Sequence, residues 1–207
     1  MNLAWHLRQE GDLELPACSW RPGPPVRVAS TSVQGGGIGE RAWFLNATVP
    51  IGYAADDPAG DLQALAAAFG LRGDGVGMLT AKDVRGAVVE EEDGLEVVAT
   101  VGLGWPTWAA APPDAAARVA GGGTVNVLAV VPAALGDSAL VNAVATATEA
   151  KVQALMEAGV PGTGTASDAV CVAAAGQGAP EAYGGPRSRW GSSLARAVHR
   201  AVLRGAR

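Results

Sequence analysis

Three segments between residues 123 and 172 decide the fold: GTVNVLAVV (123–131), DSALVNAVATATEAKVQALMEAG (137–159) and GTGTASDAVCV (162–172). The first and third are short runs of β-branched and small apolar residues, the pattern of buried strands. The middle one reads as a helix. Asp137 or Ser138 can cap its start, Gly159 and Pro161 mark its end, and no Gly or Pro interrupts the run between. At about 100° per residue, Leu140, Val144, Thr148, Lys151 and Leu155 share one face with Val141 and Val152 beside them, the predicted core stripe. Asn142, Thr146, Glu149 and Gln153 form the predicted opposite row. Glu149 and Lys151, two positions apart, cannot pair along the helix and must serve different surroundings.

Lys151 is one of two lysines in a chain that otherwise uses arginine for positive charge. Two readings of it stay open. Its methylenes can run along the core and lift the ammonium to water, or the ammonium can end in a cleft, facing a carboxylate or a substrate oxygen.

Outward from this unit, residues 1–16 read as a hairpin around Glu10-Gly11-Asp12, with Trp5 and Leu7 on one arm and Leu13 and Leu15 on the other. The prolines of residues 21–25 make a linker, so 1–25 is an appendage to a single domain spanning 1–207. Strands are predicted at 26–30, 41–49, 75–80, 86–91, 95–101, 124–131 and 169–175, with Asp93-Gly94 as a hairpin turn. Asp57-Pro58 starts a helix that Gly70 ends, and a last amphipathic helix covers 188–204 with Trp190, Leu194, Val198 and Ala201 facing inward. Residues 104–122 read as a long binding loop with one helical turn at 114–119. Hairpins early and strand–helix alternation later predict an α+β fold, a mixed layered sandwich with a sheet core and helices packed on it.

At 207 residues and 49% hydrophobic content the chain can bury a substantial core. A net charge of −5 and scattered arginines argue against a nucleic-acid partner. The first residues lack a long apolar h-region and no later run offers about 18 apolar residues, which predicts a soluble, cytoplasmic protein with no membrane partner. Two cysteines make no disulfide framework, and Cys171 in AVCVAAA reads as a small core residue.

The glycine run at 35–39 lacks the Lys-Ser/Thr of a P-loop, and Glu40 stands where a dinucleotide fingerprint needs its third glycine. With His6 and His199 the only histidines, and no CxxC or HxxxH spacing, neither a histidine triad nor a zinc site is expected. No metal and no cofactor is predicted. Chemistry falls to Asp, Glu, Lys, Asn, Ser and Thr. Asp168, at the mouth of a buried strand, is the best-placed carboxylate, with an Asx-type turn as its structural alternative. Thr124 and Asn126 project from one face of the preceding strand, and Asn126 needs hydrogen-bond partners there.

GTVNVLAVV, LVNAVATATEAK, GTGTASDAV and Tyr183-Gly184-Gly185-Pro186, together with residues 30–37, Asn46, Val49, Tyr53 and Leu79-Thr80-Ala81, resemble the adenosylcobinamide amidohydrolases of archaea and some bacteria. The resemblance spans roughly residues 26 to 204. It departs at Trp105, where an Asn is expected, and at Ala166-Ser167, where a more hydroxyl-rich pair is. It implies a corrinoid substrate and hydrolysis of the amide joining the corrin propionyl arm to aminopropanol, giving adenosylcobyric acid for cobalamin synthesis. A non-catalytic corrinoid-binding protein of the same fold is the alternative, and an amidase acting on a peptide-like substrate is a third. Amide hydrolysis needs a base, oxyanion donors and an acid for the leaving amine. The expected base is Asp168 or Glu149. Lys151 takes the electrostatic or acid role, and Asn126 and Thr124 the oxyanion or positioning role. Thr124 or Thr165 as a hydroxyl nucleophile stays open. Asn46, Trp105, Thr165 and Tyr183 are expected to bind substrate, and Trp43, Trp108 and Trp190 are further aromatic faces for a flat ring. Self-association into a homo-oligomer is left open.

Overall fold

The computed structural model describes residues 1–112 and 123–207. In chain order come β1 (Ala4–Glu10), β2 (Leu13–Trp20), β3 (Val26–Ser30), β4 (Gly37–Arg41), β5 (Trp43–Thr48), α1 (Pro58–Ala68) and β6 (Gly75–Thr80). A short 3₁₀ turn at Val84–Gly86 leads to β7 (Val88–Glu92), β8 (Leu95–Val101), β9 (Val125–Val131), α2 (Asp137–Glu157), β10 (Ala169–Ala174) and α3 (Arg189–Gly205). Asp93 at φ 55° and Gly94 at φ 79° close β7 onto β8, the positive pair that a two-residue hairpin turn demands.

Strands β1-β2-β5-β6 form one sheet and β4-β3-β10-β9-β8-β7 the other. The deciding segment behaves as read: α2 carries the chain from β9 to a parallel β10, with Ala169 opposite Asn126. Period-2 alternation then separates three cores. Leu62 and Ala66 of α1 pack on Trp43, Leu45 and Ala47. Phe44, Val76 and Met78 meet Val130, Cys171 and Ala173 between the sheets. Val125, Val127, Val170 and Val172 face Leu140, Leu155, Leu194 and Val198 of α2 and α3. The layers therefore run helix, sheet, sheet, helices, the α+β sandwich expected.

Several local readings are corrected. The run 41–49 breaks at Ala42, whose N–H bonds Asp74 O at 2.7 Å, so β4 and β5 enter different sheets. The strand read at 86–91 starts at Val88, after the 3₁₀ turn. Gly136 caps α2 with no side-chain bond, because the Asp137 carboxylate is held instead by the Arg27 guanidinium at 2.7 and 2.8 Å. The buried face of α2 includes Ala139, Ala143, Thr146, Ala147, Ala150 and Ala154, whereas Val141 is exposed. Alanines let α2 approach both the sheet and α3, so small residues outrank valine there. Thr146, read on the outer row, donates to Gly184 O at 2.9 Å.

The glycine run is a packing device, since a Cβ on Gly35 would fall on the Gly75 carbonyl. The helical turn read at 114–119 lies outside the described residues. Among those described, no helix is long and apolar enough to cross a membrane.

Candidate active site

The loops after β3, β6 and β8 and the turns leading into β9 and β10 meet at one end of the two sheets around a cleft of about 710 Å³. Its walls are hydroxyl, amide, aliphatic and aromatic groups, and Asp168 is the one charged residue among the described lining. The cleft lies within the size range of small-molecule sites.

Asp168 stands one residue before β10 and meets Lys151 from α2, where the two side chains are 11% and 6% exposed. The ammonium donates to Asp168 Oδ2 and, at 3.1 Å, to Thr163 O. Asp168 Oδ1 accepts from the Val125 N–H at 2.9 Å and from the Thr165 hydroxyl at 2.5 Å. Lys151 is therefore buried and faces a carboxylate, as the second of its two readings required, yet it sits behind Asp168 and is absent from the described cleft lining. Its role in this geometry is to hold and neutralise the carboxylate. Losing one partner of such a pair leaves a buried charge and costs about 3–5 kcal/mol. Gly164 passes directly over the pair: a Cβ there would collide with both Asp168 Oδ2 and Lys151 Nζ. The Gly-Thr-Gly-Thr turn is thus shaped by what lies under it.

Beside the carboxylate, the Thr124 and Ser167 hydroxyls face each other at 2.8 Å on the cleft wall. The pair shares one proton and keeps the other, so one O–H is free to donate to a carbonyl oxygen in the cleft. Asn126 lies deeper. Its Nδ2 donates to Asn46 Oδ1 at 2.9 Å and to Leu79 O at 3.0 Å, and Asn46 Nδ2 donates to Thr100 Oγ1 at 3.0 Å. Neither N–H of Asn126 is left for an oxyanion. The chain Asn126–Asn46–Thr100 ties β9, β5 and β8 together across the inter-sheet layer, which places Asn46 one step behind the wall. Asn126 Oδ1 is buried without a protein partner.

Thr165 and Trp105 line the cleft, while Glu149 and Tyr183 do not. Glu149 is exposed on the far side of α2, beside Arg196, His199 and Arg200, and Tyr183 is 76% exposed. Trp43 belongs to the α1 core and donates to Gly73 O at 2.9 Å, Trp190 in the first turn of α3 packs partly buried against the helix-side core, and Trp108 is exposed near Trp105. The segment carrying both tryptophans is pinned to the Asp168 turn: Thr107 N–H donates to Gly164 O, and Thr163 N–H donates to Thr107 O, each at 2.8 Å.

Sequence reasoning missed Ser167 as a partner of Thr124, and the wall residue Tyr53. The Tyr53 hydroxyl donates to Asp61 at 2.6 Å; burial and that bond push it well above the usual phenol range. Burial also pushes the Cys171 thiol up to about 12 and the Cys18 thiol up to about 11, which keeps both protonated and inert at neutral pH. Among the described residues, no group of three His, Cys, Asp or Glu side chains is gathered as a metal site would need.

Residues 6–207 match the family described as adenosylcobinamide amidohydrolase. A protein of that name from Halobacterium salinarum is 36% identical over 201 residues, 93% of this chain and 83% of that one. Another from Methanosarcina mazei is 28% identical over 179 residues, 82% of this chain and 85% of that one. Among solved structures, an L-aminopeptidase D-Ala-esterase/amidase from Ochrobactrum anthropi is 12% identical with a TM-score of 0.44, covering 98% of this chain and 82% of its own. That likeness is too slight to bear on mechanism.

Proposed function

The chain belongs to the adenosylcobinamide amidohydrolase family, and from that premise we propose that it hydrolyses the amide linking the corrin propionyl arm of adenosylcobinamide to aminopropanol. The products are adenosylcobyric acid and aminopropanol, and the setting is corrinoid salvage in the cytoplasm. One observation carries the reading: a buried lysine–aspartate pair presents a single carboxylate to a cleft whose other described lining residues are uncharged hydroxyl, amide, aliphatic and aromatic groups. Such walls suit an uncharged amide arm hanging from a broad, flat, partly apolar ring.

Asp168 accepts the proton of the attacking group and returns it to the departing amine. Lys151 keeps that carboxylate in place and balances its charge. The free O–H of the Thr124–Ser167 pair stabilises the negative charge that develops on the carbonyl oxygen. Trp105 offers an aromatic face to the ring at the cleft wall. The test is to incubate purified protein with adenosylcobinamide and assay both products. Stoichiometric release of aminopropanol and adenosylcobyric acid is expected. Corrinoid binding with no release would leave the non-catalytic alternative standing.

A further inference from the structure

The bonds around Asp168 also bear on which atom attacks the amide. A carboxylate offers about four lone-pair directions. At Asp168 three are taken, by Lys151 on Oδ2 and by Val125 N–H and Thr165 O–H on Oδ1. The remaining direction is on Oδ2, the oxygen turned toward the buried ammonium. A water using Asp168 as its base would have to take that one remaining direction, beside the Lys151 ammonium. The Thr165 hydroxyl is already in place, donating to Oδ1 from 2.5 Å on the side away from the ammonium.

The other aliphatic hydroxyls that line the cleft and whose bonds are described have different partners. Thr31 Oγ1 accepts from Val170 N–H at 3.0 Å and Thr80 Oγ1 from Lys82 N–H at 3.1 Å. Ser32 accepts from Ser30 at 2.9 Å, and Thr124 and Ser167 face each other. Thr165 alone among them meets a carboxylate, and it is partly exposed on the cleft wall two residues from Ser167.

We propose that Thr165 is the nucleophile and that turnover passes through an ester between the substrate acyl group and Thr165 Oγ1; this rests on the amidohydrolase reading of the site. Thr165 O–H gives its proton to Asp168 as Oγ1 bonds to the amide carbon. The Thr124–Ser167 pair holds the oxyanion. The carbon–nitrogen bond then breaks, and the amine leaves with the proton that Asp168 received. Water next attacks the ester and passes its proton to Asp168. Thr165 Oγ1 departs and takes that proton, which restores the site and frees the acid.

The test measures aminopropanol release and acyl partition together. The wild type turns over adenosylcobinamide, and an N-methylamide of the same corrinoid acid, in the presence of hydroxylamine. A shared Thr165 ester gives one hydroxamate-to-acid ratio for both leaving groups. A ratio that differs between them, or acid with no hydroxamate, overturns the proposal. Thr165→Ala is expected to lower kcat about 1,000-fold with KM little changed, and Thr165→Ser to recover most of the rate. A Thr165→Ala enzyme within tenfold of wild-type kcat, or one that changes only KM, also overturns it. If the wild type releases no aminopropanol, the amidohydrolase reading fails first and takes the nucleophile with it.

Discussion

Charge is handled in opposite ways at two places on the six-stranded sheet. Along β7, Glu90 and Glu92 meet Arg196, Arg200 and Arg204 of α3 in a surface row, with the arginine side chains 41–65% exposed. At the cleft, a single lysine and a single aspartate are sealed together at 6% and 11% exposure. Glu90 and Glu92 are only 13% and 18% exposed, but their arginine partners keep their water and each glutamate has two of them, so each contact is replaceable and contributes about 0.2–1 kcal/mol. The sealed pair has no such fallback. Its atoms are fixed by the Val125 N–H, Thr163 O and Thr165 hydroxyl as well as by each other, which is the rigidity a catalytic carboxylate needs.

Removing one ion from the sealed pair should produce the largest effect on stability. Lys151→Ala is expected to lower unfolding free energy by about 3–5 kcal/mol in chemical denaturation. Replacing both ions, as Lys151→Met with Asp168→Leu, should recover most of that loss and none of the activity. A double variant no more stable than Lys151→Ala would show that the surroundings, rather than the unpaired charge, set the cost.

Gly164→Ala comes next. The new methyl would press on both charged groups at once, so a loss of about 1–3 kcal/mol is expected. Aminopropanol release should fall with it. At Gly178, where a Cβ would meet nothing within 4 Å but φ is 108°, alanine should strain the local backbone and leave turnover of the folded enzyme unchanged.

The surface row should respond least. Glu92→Gln is expected to cost under about 1 kcal/mol, and the difference from wild type should shrink in 1 M salt. The row also predicts a pH dependence. Burial alone raises the Glu90 and Glu92 carboxyls, but hydrogen bonds and charge from the arginines outweigh it and leave both below their ordinary 4.5. In the unfolded chain they titrate at the ordinary value. The row's contribution is therefore complete above that value and is lost as pH falls through the lower folded values. Denaturation midpoints from pH 7 down to pH 3 check this: the gap between wild type and Glu92→Gln should close toward acid.

The same contrast marks what the sequence disclosed. Local rules placed β3, β6, β8, the Asp93–Gly94 turn and the start of α3 at Ser188, because turn chemistry and capping act over a few residues. They also put Lys151 on a buried face and Asp168 at a strand mouth. They could not place Ala42 as the point where the chain changes sheets, since that depends on a bond to Asp74 far along the chain. Nor could they see that α2 packs on two partners, which buries Thr146 and exposes Val141. Residue type marked Asn126 as needing partners but not which ones, and the answer came from β5 and β6 of the opposite sheet. Glu149 was credible by its chemistry and Tyr183 by the family resemblance, and the fold leaves both outside the described cleft lining.

The central claim is that the carboxylate sealed by Lys151 performs the proton transfers of amide cleavage. Asp168→Asn tests it most directly, with aminopropanol release from adenosylcobinamide measured beside corrinoid affinity. The account predicts a fall in release of about 10²–10⁴-fold with affinity held within a few-fold. Release that stays within tenfold of wild type in a folded Asp168→Asn protein would contradict it.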